Sequence, residues 1–237
     1  MSAPAPRIAL LDYGAGNLRS VGKALERSHL AVDVTSDPAA VARADALVLP
    51  GVGAFRDARE HLAAKHLDDA VRAAIGAGRP YLGLCLGLQF LFEEAEEHGR
   101  TAGLGLLRGR VVRFPERGAD GARLLVPHIG WNEVRWVQSA EGAEGAEGAE
   151  GAEGAAAGRR HPMLAALPAR DHYYFVHSYY ALPAHADTVV GWTDYGGPFA
   201  AAVATEGIFA VQFHPEKSQA AGKRLLDAFA RWVEGVR

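Results

Sequence analysis

Cysteine occurs once in the 237 residues, and its setting is unusual. Gly83-Leu84-Cys85-Leu86-Gly87 follows a short apolar run and opens a helical pattern. That order has the form of a nucleophile elbow: a sharp strand-to-helix turn exposes the reactive atom, and small flanking residues let neighbouring backbone close in. A thiol at a helix N-terminus also feels the positive end of the dipole, which favours the attacking thiolate. A buried structural cysteine at a strand end is the alternative that this motif leaves open. Near the other end of the chain, Gln212-Phe213-His214-Pro215-Glu216 closes the apolar run 208–213. If the extended conformation continues, residues 214 and 216 point to one side, because strand side chains alternate. An imidazole and a carboxylate on one face can serve as the base for a thiol and the group that orients that base, or as a solvated surface pair. A third segment, Leu49-Pro50-Gly51-Val52-Gly53-Ala54, also follows an expected strand. Amides turned outward there, with that of Leu86, could hold an oxyanion; a tight strand-to-helix turn would need the same glycines. Asp12-Tyr13-Gly14-Ala15-Gly16-Asn17 is no dinucleotide fingerprint, because Arg19 stands where the last glycine is required.

The elements that must position these residues follow from the apolar pattern. Runs 8–12, 31–36, 46–50 and 80–84 read as strands, and 18–28, 55–75 and 86–97 as helices. This is βαβ rhythm with a parallel sheet. From residue 108 the β-runs crowd together at 109–114, 123–126, 132–136, 173–182, 188–193, 200–205 and 208–213, which points to a partly antiparallel half. The chain closes on a helix that Ser218 could cap, with Leu225, Leu226, Phe229, Trp232 and Val233 on one apolar face. Ala-Glu-Gly is written five times over residues 140–154. A period of three holds no apolar stripe and the glycines oppose helix, so 140–158 is expected to be a flexible loop in a single domain spanning 1–237.

Composition narrows the function. Lys+Arg 25 against Asp+Glu 28 gives a formal net charge of -3, without the excess positive charge that non-specific nucleic-acid or anionic-membrane binding needs. Five of the acidic residues lie in the repeat tract, so the remainder is slightly basic. No apolar run approaches a bilayer span and the start lacks a signal-peptide pattern, so a cytoplasmic location is expected. One cysteine rules out an internal disulfide, and no Cys/His spacing suggests a metal. Histidines 29, 61, 66 and 98 are expected at the surface or at caps.

The order PGVGAF, GLCLGLQ, QFHPEKS resembles the class I (triad) glutamine amidotransferases. Within them, DYGAGN, PGVGAF, PHIGWNEV and YYFVHSYY look like the glutaminase subunits of imidazole glycerol phosphate synthases, of histidine biosynthesis. The resemblance runs through nearly the whole chain; its main departure is the Ala-Glu-Gly tract, which touches no motif. It implies an α/β, flavodoxin-like open mixed sheet with helices on both faces and no cofactor or metal. It further implies Cys85 as nucleophile towards glutamine, His214 as base and Glu216 as its orienter. An oxyanion hole from Val52, Gly53 and Leu86 is implied as well. Gly51, Gln89, Ser178 and Tyr179 would line the substrate. Ammonia would pass to a (β/α)₈ cyclase subunit, which Asn17, Trp131, Tyr174 and Lys217 would face, although Trp131 read by itself is as readily a core aromatic. A non-catalytic binding module and another cysteine hydrolase on a similar sheet are the competing classes.

Overall fold

The first half of the chain alternates strand and helix in the computed structural model, which describes residues 4–137 and 161–236. The elements run β1 (Arg7–Leu11), α1 (Leu18–Glu26), β2 (Ala31–Thr35), α2 (Pro38–Arg43), β3 (Ala46–Leu49), α3 (Phe55–Ala64), α4 (Leu67–Gly76), β4 (Tyr81–Leu84) and α5 (Leu86–Gln89). There follow β5 (Glu94–Ala95), β6 (Thr101–Ala102), β7 (Gly109–Arg113), β8 (His128–Trp136), β9 (Arg170–His177), β10 (Tyr179–Pro183), β11 (Val189–Asp194), β12 (Pro198–Thr205), β13 (Ile208–Val211) and α6 (Gln219–Val236). The repeat tract at 140–154, with its expected flexibility, lies outside the described residues.

Among the described residues nine strands form one sheet, in the order β2-β1-β3-β4-β13-β12-β11-β8-β9. The pairs from β2 to β13 are parallel, and those from β13 to β9 antiparallel. A second sheet, β10-β7-β5-β6, is not hydrogen-bonded to it but shares a core with it, through Ala95, Val111 and Ala181. The apolar runs are continuous because both faces of the sheet are covered. On β1, Ile8 and Leu10 join one core with α1 and α6, while Ala9 and Leu11 join the other with α3 and α4. Residues Phe209 and Val211 of β13 divide from Ile208 and Ala210 in the same way. All five apolar residues expected on the last helix are buried in the first core.

Four local expectations fail. The helix expected at 55–75 breaks at His66, whose φ of 55° is left-handed, so α3 and α4 are separate. The helix expected at 86–97 stops after α5 because later residues take its carbonyls: Leu104 N–H donates to Phe90 O, Leu106 and Leu107 to Leu91 O, and Gly105 to Phe92 O. The run 173–182 divides at Ser178, leaving β9 in the large sheet and β10 in the small one. Residues 123–126 form no strand and contribute only an isolated bridge, Arg117 to Arg123. Helix α2 was not expected; Asp37 caps it by accepting from Ala39 N–H at 2.9 Å, with Pro38 in its first turn.

Histidines 29, 61, 66 and 98 are exposed, whereas His128, His161 and His177 are buried. Burial lowers the pKa of His128 and of His161 to about 4 each, and that of His177 to about 3. The unfolded chain binds these protons near pH 6.5, so the stability they contribute is complete above that pH and is lost as pH falls towards 3 to 4. The melting temperature is therefore expected to fall between pH 6.5 and 4. His161→Asn keeps a side-chain acceptor for Met163 N–H and should reduce the acid-side slope by about 1.4 kcal/mol per pH unit, one proton's worth. An unchanged slope in denaturant titrations of that variant would contradict this account.

Candidate active site

Strands β4 and β13 lie side by side and parallel, with Val211 opposite Leu84. The Cys85 N–H donates to Val211 O at 2.8 Å, so the residues just beyond the two strand ends meet. These are the C-terminal ends of parallel strands, where open α/β sheets gather their sites. Cys85 takes φ 54° and ψ −104°, a strained conformation for a residue with a Cβ, and α5 starts at the next residue. The elbow is possible only with small neighbours. A Cβ on Gly83 would stand 2.6 Å from Gly87 O, and one on Gly87 would overlap the carbonyl oxygen of Leu49. The first N–H groups of α5, starting at Leu86, are those a helix leaves without intrahelical acceptors.

His214 and Glu216 come together, though not by alternation along an extended chain. After His214 the backbone enters a 3-10 turn, Pro215–Lys217, and this turn brings Glu216 Oε1 to 2.9 Å from His214 Nδ1. Both side chains are buried, 4% and 2% exposed. The turn is clamped against β9: His214 N–H donates to Tyr174 O at 2.9 Å, while Ser218 Oγ accepts from Tyr174 N–H at 3.0 Å and donates to His214 O at 2.6 Å. Ser218 thus spends its hydroxyl on the site and not on capping α6. Burial opposes a charge on His214, but its interactions with Cys85 and Glu216 outweigh that and push the pKa up to about 10. The Nε2 atom is buried without a partner of ordinary hydrogen-bond geometry. An imidazole oriented by a carboxylate beside a strained cysteine can take a proton from sulfur and return it to a leaving group.

The segment after β3 lies against the elbow. Tyr13 OH donates to Pro50 O at 2.9 Å, and burial, with the neighbouring Cys85, raises the pKa of this phenol, so it remains a donor. A Cβ on Gly51 would stand 2.5 Å from both Tyr13 OH and Leu86 Cβ. Beyond this pinned point Val52 is 42% exposed and Gly53 has φ 99°. Gln89, in α5, is buried; its Nε2 donates to Tyr179 O at 3.0 Å and to Gln212 Oε1 at 3.1 Å. Ser178 and Tyr179 sit where the chain changes sheets.

Trp131 is 48% exposed, so the core reading of this residue fails. Its ring lies 6.3 Å from that of Tyr174, over which Lys217 Nζ stands at 5.5 Å. Asn17 is exposed and caps α1, accepting from Ser20 N–H at 3.4 Å. Three further features of the site carry no signal in the local motifs: Gln212, whose Nε2 lies 3.5 Å from Cys85 Sγ; Tyr13; and the buried pair His128 and His177, whose rings meet at 3.2 Å. Alternation could have found Gln212, since it is two residues from His214. Among the described residues no group of three or more His, Cys, Asp or Glu is placed to hold a metal ion, and no helix is long and apolar enough to cross a membrane.

Comparison with known proteins gives this geometry a lineage. The family model of glutamine amidotransferase class-I matches residues 9–232. The chain is 50% identical to the imidazole glycerol phosphate synthase subunit HisH of Methylococcus capsulatus over 95% of its own length and 96% of that relative. It is 47% identical to the subunit of the same name from Aromatoleum aromaticum, over 95% and 98%. Among solved structures, the glutaminase domain of Trypanosoma brucei CTPS with bound acivicin superposes with a TM-score of 0.62 at 18% identity, covering 97% of this chain and 94% of that one, which shows a shared fold. With a family model over almost every described element and HisH relatives aligned nearly end to end, the chain belongs to the class-I glutamine amidotransferases, on the HisH branch.

Proposed function

We propose that this chain is the glutaminase subunit of an imidazole glycerol phosphate synthase, working as one catalytic domain in the cytoplasm. The observation that carries the catalytic assignment is the buried His214–Glu216 pair, set beside a cysteine held at positive φ. Cys85 attacks the side-chain carbonyl carbon of glutamine after His214 has taken the thiol proton. The negative charge on the carbonyl oxygen is met by N–H groups of Leu86 and of the Val52–Gly53 segment. Pinning of Pro50 O by Tyr13 and the wedge of Gly51 against Leu86 support this, because they confine rearrangement to the peptides that follow. His214 then gives its proton to the departing nitrogen, ammonia leaves, and a γ-glutamyl thioester remains on Cys85. Water attacks the thioester with His214 as base, and glutamate is released as the thiolate reforms. Glu216 holds the imidazole in the Nδ1–H tautomer and supports its charge.

Gln89, Ser178 and Tyr179 line the end of the site that receives the amino-acid portion of glutamine. Trp131, Tyr174 and Lys217, with Asn17, face the (β/α)₈ cyclase subunit, which consumes the ammonia to form imidazole glycerol phosphate and aminoimidazole carboxamide ribotide. Support comes from the aromatic-cation cluster, in which Trp131 and Lys217 are exposed and Tyr174 is half-buried, because Tyr174 is also bonded through its backbone to His214, so a partner seated there touches the residue that clamps the base. Glutamate release by the chain alone is expected to be weak, and to rise by about 5- to 150-fold with the cyclase subunit and its ribulosyl nucleotide, the usual range of coupling between sites. Equal turnover with and without the partner, in an assay where complex formation is demonstrated, would refute this coupling.

A further inference from the structure

Gln212 is completely buried just past the end of β13. Its amide nitrogen lies 3.5 Å from Cys85 Sγ, and its oxygen accepts from Gln89 Nε2 at 3.1 Å. A side-chain amide can be turned by 180°, so the direction of this contact needs an independent anchor. The anchor is the backbone carbonyl of Tyr179, which can only accept. It takes Gln89 Nε2–H at 3.0 Å from one side and His177 Nδ1–H at 2.8 Å from the other. With nitrogen fixed on Gln89, oxygen must face it from Gln212, and the remaining end of Gln212, an N–H donor, must face sulfur. The far side of the carbonyl is locked as well. His177 keeps Nδ1 protonated towards Tyr179 O, which leaves Nε2 to accept from His128 Nδ1 at 3.2 Å; His128 Nε2 in turn faces Asn132 Nδ2 at 3.3 Å. Burial keeps both imidazoles neutral, so neither loses this direction near neutral pH.

We infer that Gln212 is a further catalytic residue, whose N–H donates to the Cys85 sulfur and stabilises and aims the thiolate, with the donor direction imposed by the Tyr179 carbonyl through Gln89. A donor is worth more against a charged acceptor than against a neutral thiol, so the contact favours the ionised nucleophile. Because Gln212 has no exposed surface, it acts on sulfur and not on the amino-acid end of the substrate. The inference rests on the reading of Cys85 as nucleophile.

Two variants of the full chain, assayed with its cyclase partner, separate the possibilities. Gln212→Met is close in shape and neutral but has no donor; Gln212→Glu, assayed at a pH where its carboxyl is ionised, keeps an oxygen for Gln89 and loses the donor to sulfur. In both, kcat for glutamate release should fall by about tenfold or more, the worth of a hydrogen bond to a charged group, with KM for glutamine nearly unchanged. Alkylation of Cys85 by iodoacetamide at neutral pH, read by mass spectrometry on the only cysteine in the chain, should slow by a similar factor. Melting curves establish that each variant is folded; if Gln212→Glu is not, Gln212→Met decides. Wild-type alkylation in folded Gln212→Met, or wild-type kcat in folded Gln212→Glu, overturns the inference and reduces Gln212 to a brace for Gln89. Alkylation needs no turnover, so wild-type protein that releases no glutamate defeats the amidotransferase reading while the alkylation comparison still decides this one.

Discussion

Cys85→Ala is expected to reduce glutamate release from glutamine by about 10⁴-fold or more, the scale on which removal of a covalent nucleophile acts. The fold should survive. Cys85 is buried, but its side chain is small, and alanine fills most of the same space without adding a polar group. The neighbouring elements are set by strand pairing and by the glycines around the elbow, and not by the sulfur. Melting temperature and glutamine turnover, measured on the same preparation, should therefore separate cleanly. A loss below about tenfold, roughly 1.4 kcal/mol in barrier, excludes a nucleophilic role. Loss of folding together with activity would instead return Cys85 to the role of a structural core residue.

Gly87→Ala is expected to have the second-largest effect, and for a steric reason. The added Cβ would overlap the carbonyl oxygen of Leu49, and it would lie 3.0 Å from the Leu49 carbonyl carbon. Both obstacles are backbone, so no rotamer change relieves them; α5 and the end of β3 must move apart. Overpacking of this kind costs about 1–3 kcal/mol. The movement also separates Cys85 from His214 and from the segment after Pro50, and displacement by about 1 Å is enough to cost about 10²-fold in rate. Gly87→Ala should accordingly lower both melting temperature and kcat/KM. Gly76→Ala, at the end of α4, is the control, since an added Cβ there meets nothing within 4 Å. Equal behaviour of the two variants in turnover would mean that the close packing of the elbow against β3 does not position the nucleophile.

The difference between what could and could not be read from the sequence follows the distance over which each feature is determined. The Cys85 elbow is legible because its cause is local: a short apolar strand, a turn that forces positive φ, and glycine on either side. The parallel half of the sheet is legible because burial on both faces writes continuous apolar runs, as in 46–49 and 81–84. The truncation of α5 is not, because the groups that capture its carbonyls belong to residues 104–107 and arrive from a different part of the chain. His128 and His177 face each other through the register of β8 on β9, across 49 positions, and register across such a gap is set by tertiary packing. Alternation along an extended chain predicts the pairing of His214 with Glu216, yet a 3-10 turn realises it. The same alternation, applied one step earlier, would have placed Gln212 beside His214 and hence near the sulfur.

The central claim, that Cys85 is the atom acylated by glutamine, is tested most directly by treating the chain, in complex with its cyclase partner, with an electrophilic glutamine analogue and locating the adduct by peptide mass spectrometry. The account predicts a single adduct, on the peptide carrying Cys85, formed in step with loss of glutamate release and blocked by excess glutamine. Modification at another residue, or glutamate release that persists when Cys85 is fully modified, would contradict it.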